Sequence, residues 1–222
     1  MQLIEPSHEN IKLILQQHGK EGGNSINESL SKLFDSLNDE TNSFEVSIKV
    51  AALNQIYSTA IQYIAPVVDK IVLEIDNNHK GYNLERYVEL VDKVSVVNWV
   101  SPTTMLEHTR RNISFCSKYI HFLSGRELPI YDSYIWIVMV GYINQKGGKT
   151  SFSSPETYTE FFQVFSNFKS LFNLQEYSNY ELDKFLWQYG KNLINEIMKN
   201  KRVNLDKAKS ILKARIKSEF LK

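Results

Sequence analysis

The chain has 222 residues, of which 42% are hydrophobic and 23% are charged, a composition typical of a globular protein. That length suffices for one domain, or two small ones, with a core that needs no disulfide or metal to hold it together. The single cysteine, Cys116, excludes a disulfide framework and a multi-cysteine zinc or iron–sulfur site within the chain. Because no apolar run approaches about 18 residues and the first ten residues are polar and acidic, we expect no membrane-spanning helix and no signal peptide, and a location in a reducing cytoplasm.

The net charge of +1 conceals an uneven distribution along the chain. Residues 191–222 contain ten Lys or Arg and three acidic residues, so this end carries +7 and the remainder carries −6. A basic end on a mildly acidic body suits a polyanion such as nucleic acid. The alternative is that these cations form a solvated helix face.

Apolar residues recur mainly at spacings of three and four, the helical period. We therefore predict an all-α fold, a multi-helix bundle of about nine to ten helices. The chain is expected to form a single α-helical domain over 1–222, with the possibility of two helical lobes, about 1–100 and 101–222, around a cleft.

Start and stop signals divide the chain into helices. In the first half we predict one helix after Ser7, one that Ser25 and Glu28 open with a capping box, one over about 44–63, one begun by Pro66 and one over about 84–94. In the second half, Ser101 and Pro102 open a helix that carries residues 107–112, and further helices are predicted over 116–123, 133–143, about 154–172, 180–200 and 205–220. The phenylalanines of the helix ending near 172 are interpreted as core.

Common cofactor and metal signatures are absent from the sequence. There is no Walker loop, no GxGxxG and no HExxH motif, and the five histidines are scattered. We therefore predict no metal site and no cofactor.

One segment combines residues that could carry chemistry: SFCSKYIHFLSGRELPIYDSYIW, residues 114–136. Lys118 stands early in a short helix among apolar neighbours, and Asp132 follows 14 residues later at the head of the next helix. A helix followed by a turn could bring the two side chains to one cleft.

The chemical interest of this pair lies in the amine. The pKa of an amine beside an apolar wall falls because the charged form loses hydration. The neutral amine can attack an electrophilic sugar carbon and form a Schiff base, while a nearby carboxylate removes a proton or stabilises developing positive charge. The alternative is structural: Asp132 is a good N-cap, and Lys118 could reach water from a half-buried helix.

The same segment resembles the helix–hairpin–helix DNA glycosylase superfamily, which contains 8-oxoguanine glycosylase and endonuclease III. SKYIHF is similar to the family's lysine-bearing helix, and PIYDSYIW to its aspartate before an apolar helix. Ser114 and Cys116 stand where the family's hairpin has glycines, and the four-cysteine cluster of endonuclease III is absent, so the resemblance is to a divergent member nearer the oxoguanine branch.

The resemblance implies a role for each of several residues. Lys118 would be the nucleophile, and Asp132 the activating and charge-stabilising carboxylate. DNA phosphates would be contacted by Arg110, Arg111, Ser114 and Ser117, and the base pocket would contain Tyr57, His121 and Trp187. Packing in the core is the alternative role for the aromatic residues.

The expected function is that of a DNA base-excision glycosylase, a hydrolase of DNA repair, with possible lyase activity at the abasic site. Its partner would be double-stranded DNA, and it would need no cofactor and no membrane. The alternative is a non-catalytic module with the same fold that binds DNA or a protein partner, in genome maintenance or host defence.

Overall fold

The computed structural model describes residues 1–76, 78–101 and 103–220, with the Phe220 side chain excluded. Within these ranges the chain forms ten α-helices, one 3₁₀ turn (His79–Gly81) and one two-stranded sheet, so the all-α prediction is confirmed. In chain order the elements are α1 (His8–Lys20), α2 (Gly23–Ser36), α3 (Ser43–Tyr57), α4 (Ala65–Glu74), α5 (Leu84–Ser95), β1 (Val96–Val100), β2 (Glu107–Arg111), α6 (Ile113–Leu123), α7 (Ser133–Gln145), α8 (Tyr158–Leu171), α9 (Asn179–Lys201) and α10 (Leu205–Phe220).

The chain divides into two compact units. Unit 1 contains residues 1–24, 132–156 and 160–222, and unit 2 contains residues 25–131 and 157–159. The units are thus interleaved along the sequence, whereas the predicted lobes of about 1–100 and 101–222 are consecutive. None of the helices in the described ranges is long and apolar enough to cross a membrane.

Unit 1 is organised by α9, which packs against α1, α7 and α10. Helix α7 is buried continuously from Ile135 to Ile143 because its sequence is apolar on every side. Phe161, Phe165 and Phe168 of α8 are also buried, so their interpretation as core is confirmed. Phe162 and Phe172, which the same prediction included, are half-buried.

Unit 2 packs α5 against α6 and α4, and α3 against α4 and α6. Its interior contains a charged network among apolar side chains. The Lys49 ammonium donates to the Glu40 carboxylate, which also accepts a hydrogen bond of 2.5 Å from the Tyr119 hydroxyl. All three side chains are at most 1% exposed, so the network neutralises a charge that could not otherwise be buried.

Two of the predicted helix starts that depend on a capping side chain are confirmed. Ser7 accepts a hydrogen bond from the backbone N–H of Asn10 and begins α1. Asp132 accepts one of 2.7 Å from the backbone N–H of Tyr134 and begins α7. Both follow from short-range chemistry, since the cap satisfies an N–H that the helix cannot.

Four predicted boundaries are wrong, one of them the start of α6, which is at Ile113 and not at residue 116. Helix α2 begins at Gly23, not at Ser25, because the left-handed conformation of Gly22 (φ 83°) lets a new helix start with only two residues between it and α1. Helix α3 ends at Tyr57, since the Asn54 side chain bonds the backbone N–H and C=O of Ile61 and stabilises a loop there. Helix α8 begins at Tyr158 instead of Ser154.

The predicted helix opening at Ser101 and Pro102 is also wrong. Pro102 lies outside the described residues, and residues 107–111 of that segment form strand β2, antiparallel to β1. The β-branched and aromatic residues of VVNWV favour a pleated strand over a helix, and a strand there provides β2 with a partner.

Candidate functional site around Lys118

Lys118 lies in the second turn of α6, and its side chain is only 4% exposed. Its Nζ donates hydrogen bonds to the carbonyl oxygen of Ser114 (3.0 Å) and to the Ser114 hydroxyl (2.8 Å). Both acceptors are neutral, and both belong to the residue one helical turn earlier. The lysine is therefore held against its own helix and does not extend freely into solvent.

Tyr57 is the second residue beside this amine. The Lys118 Nζ lies 5.4 Å from the centroid of the Tyr57 ring, within the range of a cation–π contact. Tyr57 is the last residue of α3, and its hydroxyl donates to the Asn27 side chain over 3.2 Å. Thus the structure brings together two of the residues singled out in the sequence, 61 positions apart, in unit 2.

Ser117 is fully buried, which differs from the prediction that it contacts a phosphate. Its hydroxyl donates to the Ser114 carbonyl over 3.1 Å and accepts from the backbone N–H of Tyr131 over 3.0 Å. The side chain therefore fixes the residue that directly precedes Asp132. Ser114, by contrast, is partly exposed.

Asp132 is the first residue of a segment of unit 1, and Lys118 belongs to unit 2. The Asp132 side chain is partly exposed and caps α7 as described above. Burial raises the pKa of the neighbouring Tyr134 hydroxyl, and the negative charge of Asp132 raises it further. That Lys118 and Asp132 line one crevice stays a prediction.

The remaining aromatic residues assigned to a base pocket are placed differently from one another. His121 is fully buried on α6, where its Nδ1 donates to the Leu128 carbonyl over 2.5 Å, so it does not face open space as a pocket residue would. Trp187 is a partly exposed residue of unit 1 that packs edge-on to His18 at 5.7 Å between ring centroids.

Arg110 and Arg111 both lie on β2, where all five residues are exposed. Arg110 is opposite Val97 and Arg111 is opposite Val96, so the two arginines project from opposite faces of the hairpin. The Arg110 guanidinium donates to the Ala60 carbonyl over 3.0 Å.

The sequence reasoning missed one pair on this hairpin. Trp99 and His108 are directly opposite each other, and their rings stack with centroids 5.2 Å apart. The signal that could have revealed them is the β-branched and aromatic run before Pro102, which is typical of a strand. In the part of the chain that the structure describes, no group of three or more His, Cys, Asp or Glu side chains is placed to hold a metal ion.

Comparison with known proteins gives one family match. The model of the HI_0787_N family, described as an N-terminal domain, matches residues 10–127. That segment contains Lys118 and the hairpin and ends before Asp132. Neither the curated proteins nor the solved structures give a significant match. Because the family model covers more than half of the 222 residues, the chain belongs to the HI_0787_N family.

Proposed function

We propose that the protein is a DNA base-excision glycosylase with lyase activity at the resulting abasic site. The observation that carries the proposal is the burial of Lys118, an amine that is 4% exposed and is held by hydrogen bonds to Ser114. Burial disfavours the charged form of an amine, and the neutral form is the nucleophile. The resemblance of residues 114–136 to the glycosylase superfamily supports the same assignment.

The reaction would start at the sugar of the damaged or modified nucleotide. The lone pair of Lys118 Nζ attacks C1′, the C1′–N bond to the base breaks, and the base leaves with a proton. Ring opening then gives an imine between Nζ and C1′. Loss of a proton from C2′ breaks the C3′–O bond, and the DNA strand on the 3′ side leaves with a 5′ phosphate. Hydrolysis of the imine then restores the amine.

Asp132 would supply the negative charge that this sequence of steps needs. In the proposal its carboxylate accepts the proton that Nζ loses and stabilises positive charge that develops at C1′. Arg110, Arg111 and Ser114 would contact DNA phosphates, with the basic residues of 191–222 contributing further attraction. We place this activity in a reducing cytoplasm, to which the free Cys116 is suited.

Borohydride trapping tests the nucleophile. The full chain is mixed with duplex DNA that carries one abasic site, and borohydride reduces any imine to a stable adduct. The wild type and Lys93→Ala, which alters an exposed lysine of α5, should both give an adduct of protein and DNA. Lys118→Ala should give none. Equal adduct from Lys118→Ala and wild type would overturn the proposal.

Asp132→Asn separates a role in chemistry from a role as a helix cap. Asparagine caps helices nearly as well as aspartate, so the free energy of unfolding should change little. The rate of adduct formation should fall by about 100-fold, the loss expected when a positioned acid or base is removed. An unchanged rate would limit Asp132 to its cap.

The second candidate is a DNA-binding module without chemistry. It is favoured by the complete exposure of β2, which presents two arginines to solvent. Binding to duplex DNA without any adduct would select this candidate. Absence of DNA binding at low salt would instead favour the protein-interaction module.

A further inference from the structure

A recess of about 290 Å³ opens beside the hairpin in unit 2. Its floor is apolar and buried, formed by Ile61, Val67 and Val97. Around this floor stand polar and aromatic side chains: Gln62, Tyr63, Trp99, Arg110 and Asn112. An apolar floor with a few convergent polar groups is the usual construction of a small-ligand site.

Asn112 is the observation that points to a ligand. It lines the recess and is 8% exposed, yet no described residue donates to or accepts from its carboxamide. Its backbone N–H is satisfied by the Ser95 carbonyl over 2.8 Å, and although it occupies the N-cap position of α6, its side chain does not cap that helix. The remaining exposure of Asn112 is to the recess, so a group bound there could pair with the carboxamide.

Two aromatic rings give the recess flat surfaces. The Trp99 ring is partly buried and is supported on His108, with an angle of 19° between the ring planes. The Tyr63 side chain at the rim is 47% exposed. Supported aromatic faces of this kind bind other planar rings by stacking.

Arg110 adds a fixed positive charge at the rim. Its guanidinium is held by the hydrogen bond to the Ala60 carbonyl, and a guanidinium has further N–H groups with which to bind an anion. Arginine binds phosphate with particular preference because its planar fork matches the phosphate oxygens. The recess therefore combines a stacking surface, an unpaired carboxamide and a cation.

We propose that this recess binds a nucleobase that carries a phosphate. The base would stack on Trp99 or Tyr63, its polar edge would pair with the Asn112 carboxamide, and its phosphate would bind Arg110. Free nucleotides and unpaired nucleotides in a DNA strand share this chemistry. The proposal requires no covalent step, so it stands or falls separately from the excision chemistry assigned to Lys118.

The test uses the ¹⁵N-labelled full chain and follows side-chain N–H signals by NMR, with Trp99→Phe identifying the Trp99 indole. The probes are the four deoxynucleoside 5′-monophosphates, the matching nucleosides, deoxyribose 5-phosphate and a short single-stranded oligonucleotide. We expect the base-containing probes to shift the Trp99 indole and Asn112 carboxamide signals, and the sugar phosphate to leave both unchanged. Tighter binding of the oligonucleotide identifies a strand as the source, and tighter binding of a monophosphate identifies a free nucleotide.

Asn112→Ala should weaken nucleotide binding by about tenfold or more, the usual loss for a paired base edge. The matched control is Asn98→Ala, since Asn98 is on the opposite face of the same hairpin and bonds Thr109. Arg110→Gln, a substitution at an exposed position, should weaken the binding of the monophosphates and leave the binding of the nucleosides unchanged. No shift with any base-containing probe, equal shifts with deoxyribose 5-phosphate, or equal binding by Asn112→Ala and Asn98→Ala would overturn the proposal.

Discussion

The Nζ of Lys118 lies 2.8 Å from the hydroxyl oxygen of Ser114, the residue one turn earlier on α6. In this hydrogen bond the Lys118 nitrogen donates and the Ser114 oxygen accepts, and the bond holds the amine in position. A neutral amine that donates a hydrogen keeps its lone pair for attack on carbon, so the contact is compatible with the proposed chemistry. Ser114 is thus a positioning residue for Lys118.

Ser114→Ala should slow formation of the borohydride adduct by about fivefold, because the lost hydrogen bond contributes about 1 kcal/mol to the position of the amine. The rate is measured at saturating protein, so that any loss of the phosphate contact proposed for Ser114 does not affect it. Single-turnover kinetics measure the rate, and Ser114→Thr, which keeps a hydroxyl, should restore it. A rate that is equally slow in the threonine variant would contradict the positioning role.

Removal of Glu40 should destabilise the fold strongly. Glu40→Ala would leave the fully buried Lys49 ammonium without its carboxylate, at a cost of about 3–5 kcal/mol in the free energy of unfolding. Tyr119→Phe removes only the hydroxyl that donates to the same carboxylate and should cost about 1.5–3 kcal/mol. Urea denaturation measures the free energy of unfolding of both variants. A Glu40→Ala variant as stable as wild type would show that Glu40 does not stabilise the fold by pairing with Lys49.

Stability should decline in mild acid because of His18. Burial lowers the pKa of His18 below 6.5, the positive charge of Lys184 lowers it further, and the Gln188 hydrogen bond opposes both. The folded state therefore favours the neutral ring. The free energy of unfolding has its full value above about pH 6.5 and falls as the pH drops toward the lowered pKa, because the unfolded chain binds the proton more readily.

A series of thermal unfolding measurements from pH 8 to pH 5 checks this dependence. In His18→Gln the melting temperature should depend less on pH across this interval, because the group that takes up a proton on unfolding is gone. Identical pH dependence in wild type and variant would show that His18 does not couple protonation to folding.

The hairpin arginines should determine part of the salt dependence of DNA binding. Each phosphate contact contributes about 0.9 to the slope of log affinity against log salt, so Arg110→Gln with Arg111→Gln should reduce the slope by about 1.8. The two side chains project from opposite faces of the hairpin. If only one of the two single substitutions reduces the slope, DNA contacts the face that carries that arginine. Lys93→Gln serves as a control. An unchanged slope in the double variant would show that the hairpin arginines do not contact DNA phosphates.

The features that could be predicted from the sequence depend on near neighbours. The Asp132 cap and the Ser7 cap join atoms two or three residues apart, and the helical period of α9 and α10 repeats over many turns. The hairpin was missed because a short β-branched run next to Pro102 can equally precede a helix.

Features that join distant parts of the sequence could not be predicted. The Asp92 carboxylate accepts hydrogen bonds from the backbone N–H groups of Tyr158 and Thr159, 66 and 67 residues away, and so begins α8 four residues after the predicted start. The placement of Tyr57 beside Lys118 and the unpaired Asn112 likewise depend on how α3, the hairpin and α6 pack.

The identity of the lysine that attacks the sugar is the most direct test of the account. After borohydride reduction with abasic-site DNA, the adduct is digested with protease and nuclease, and mass spectrometry locates the residue that carries the sugar remnant. The account predicts the remnant on Lys118. A remnant on another amine, or no remnant on a chain that binds this DNA, would contradict it.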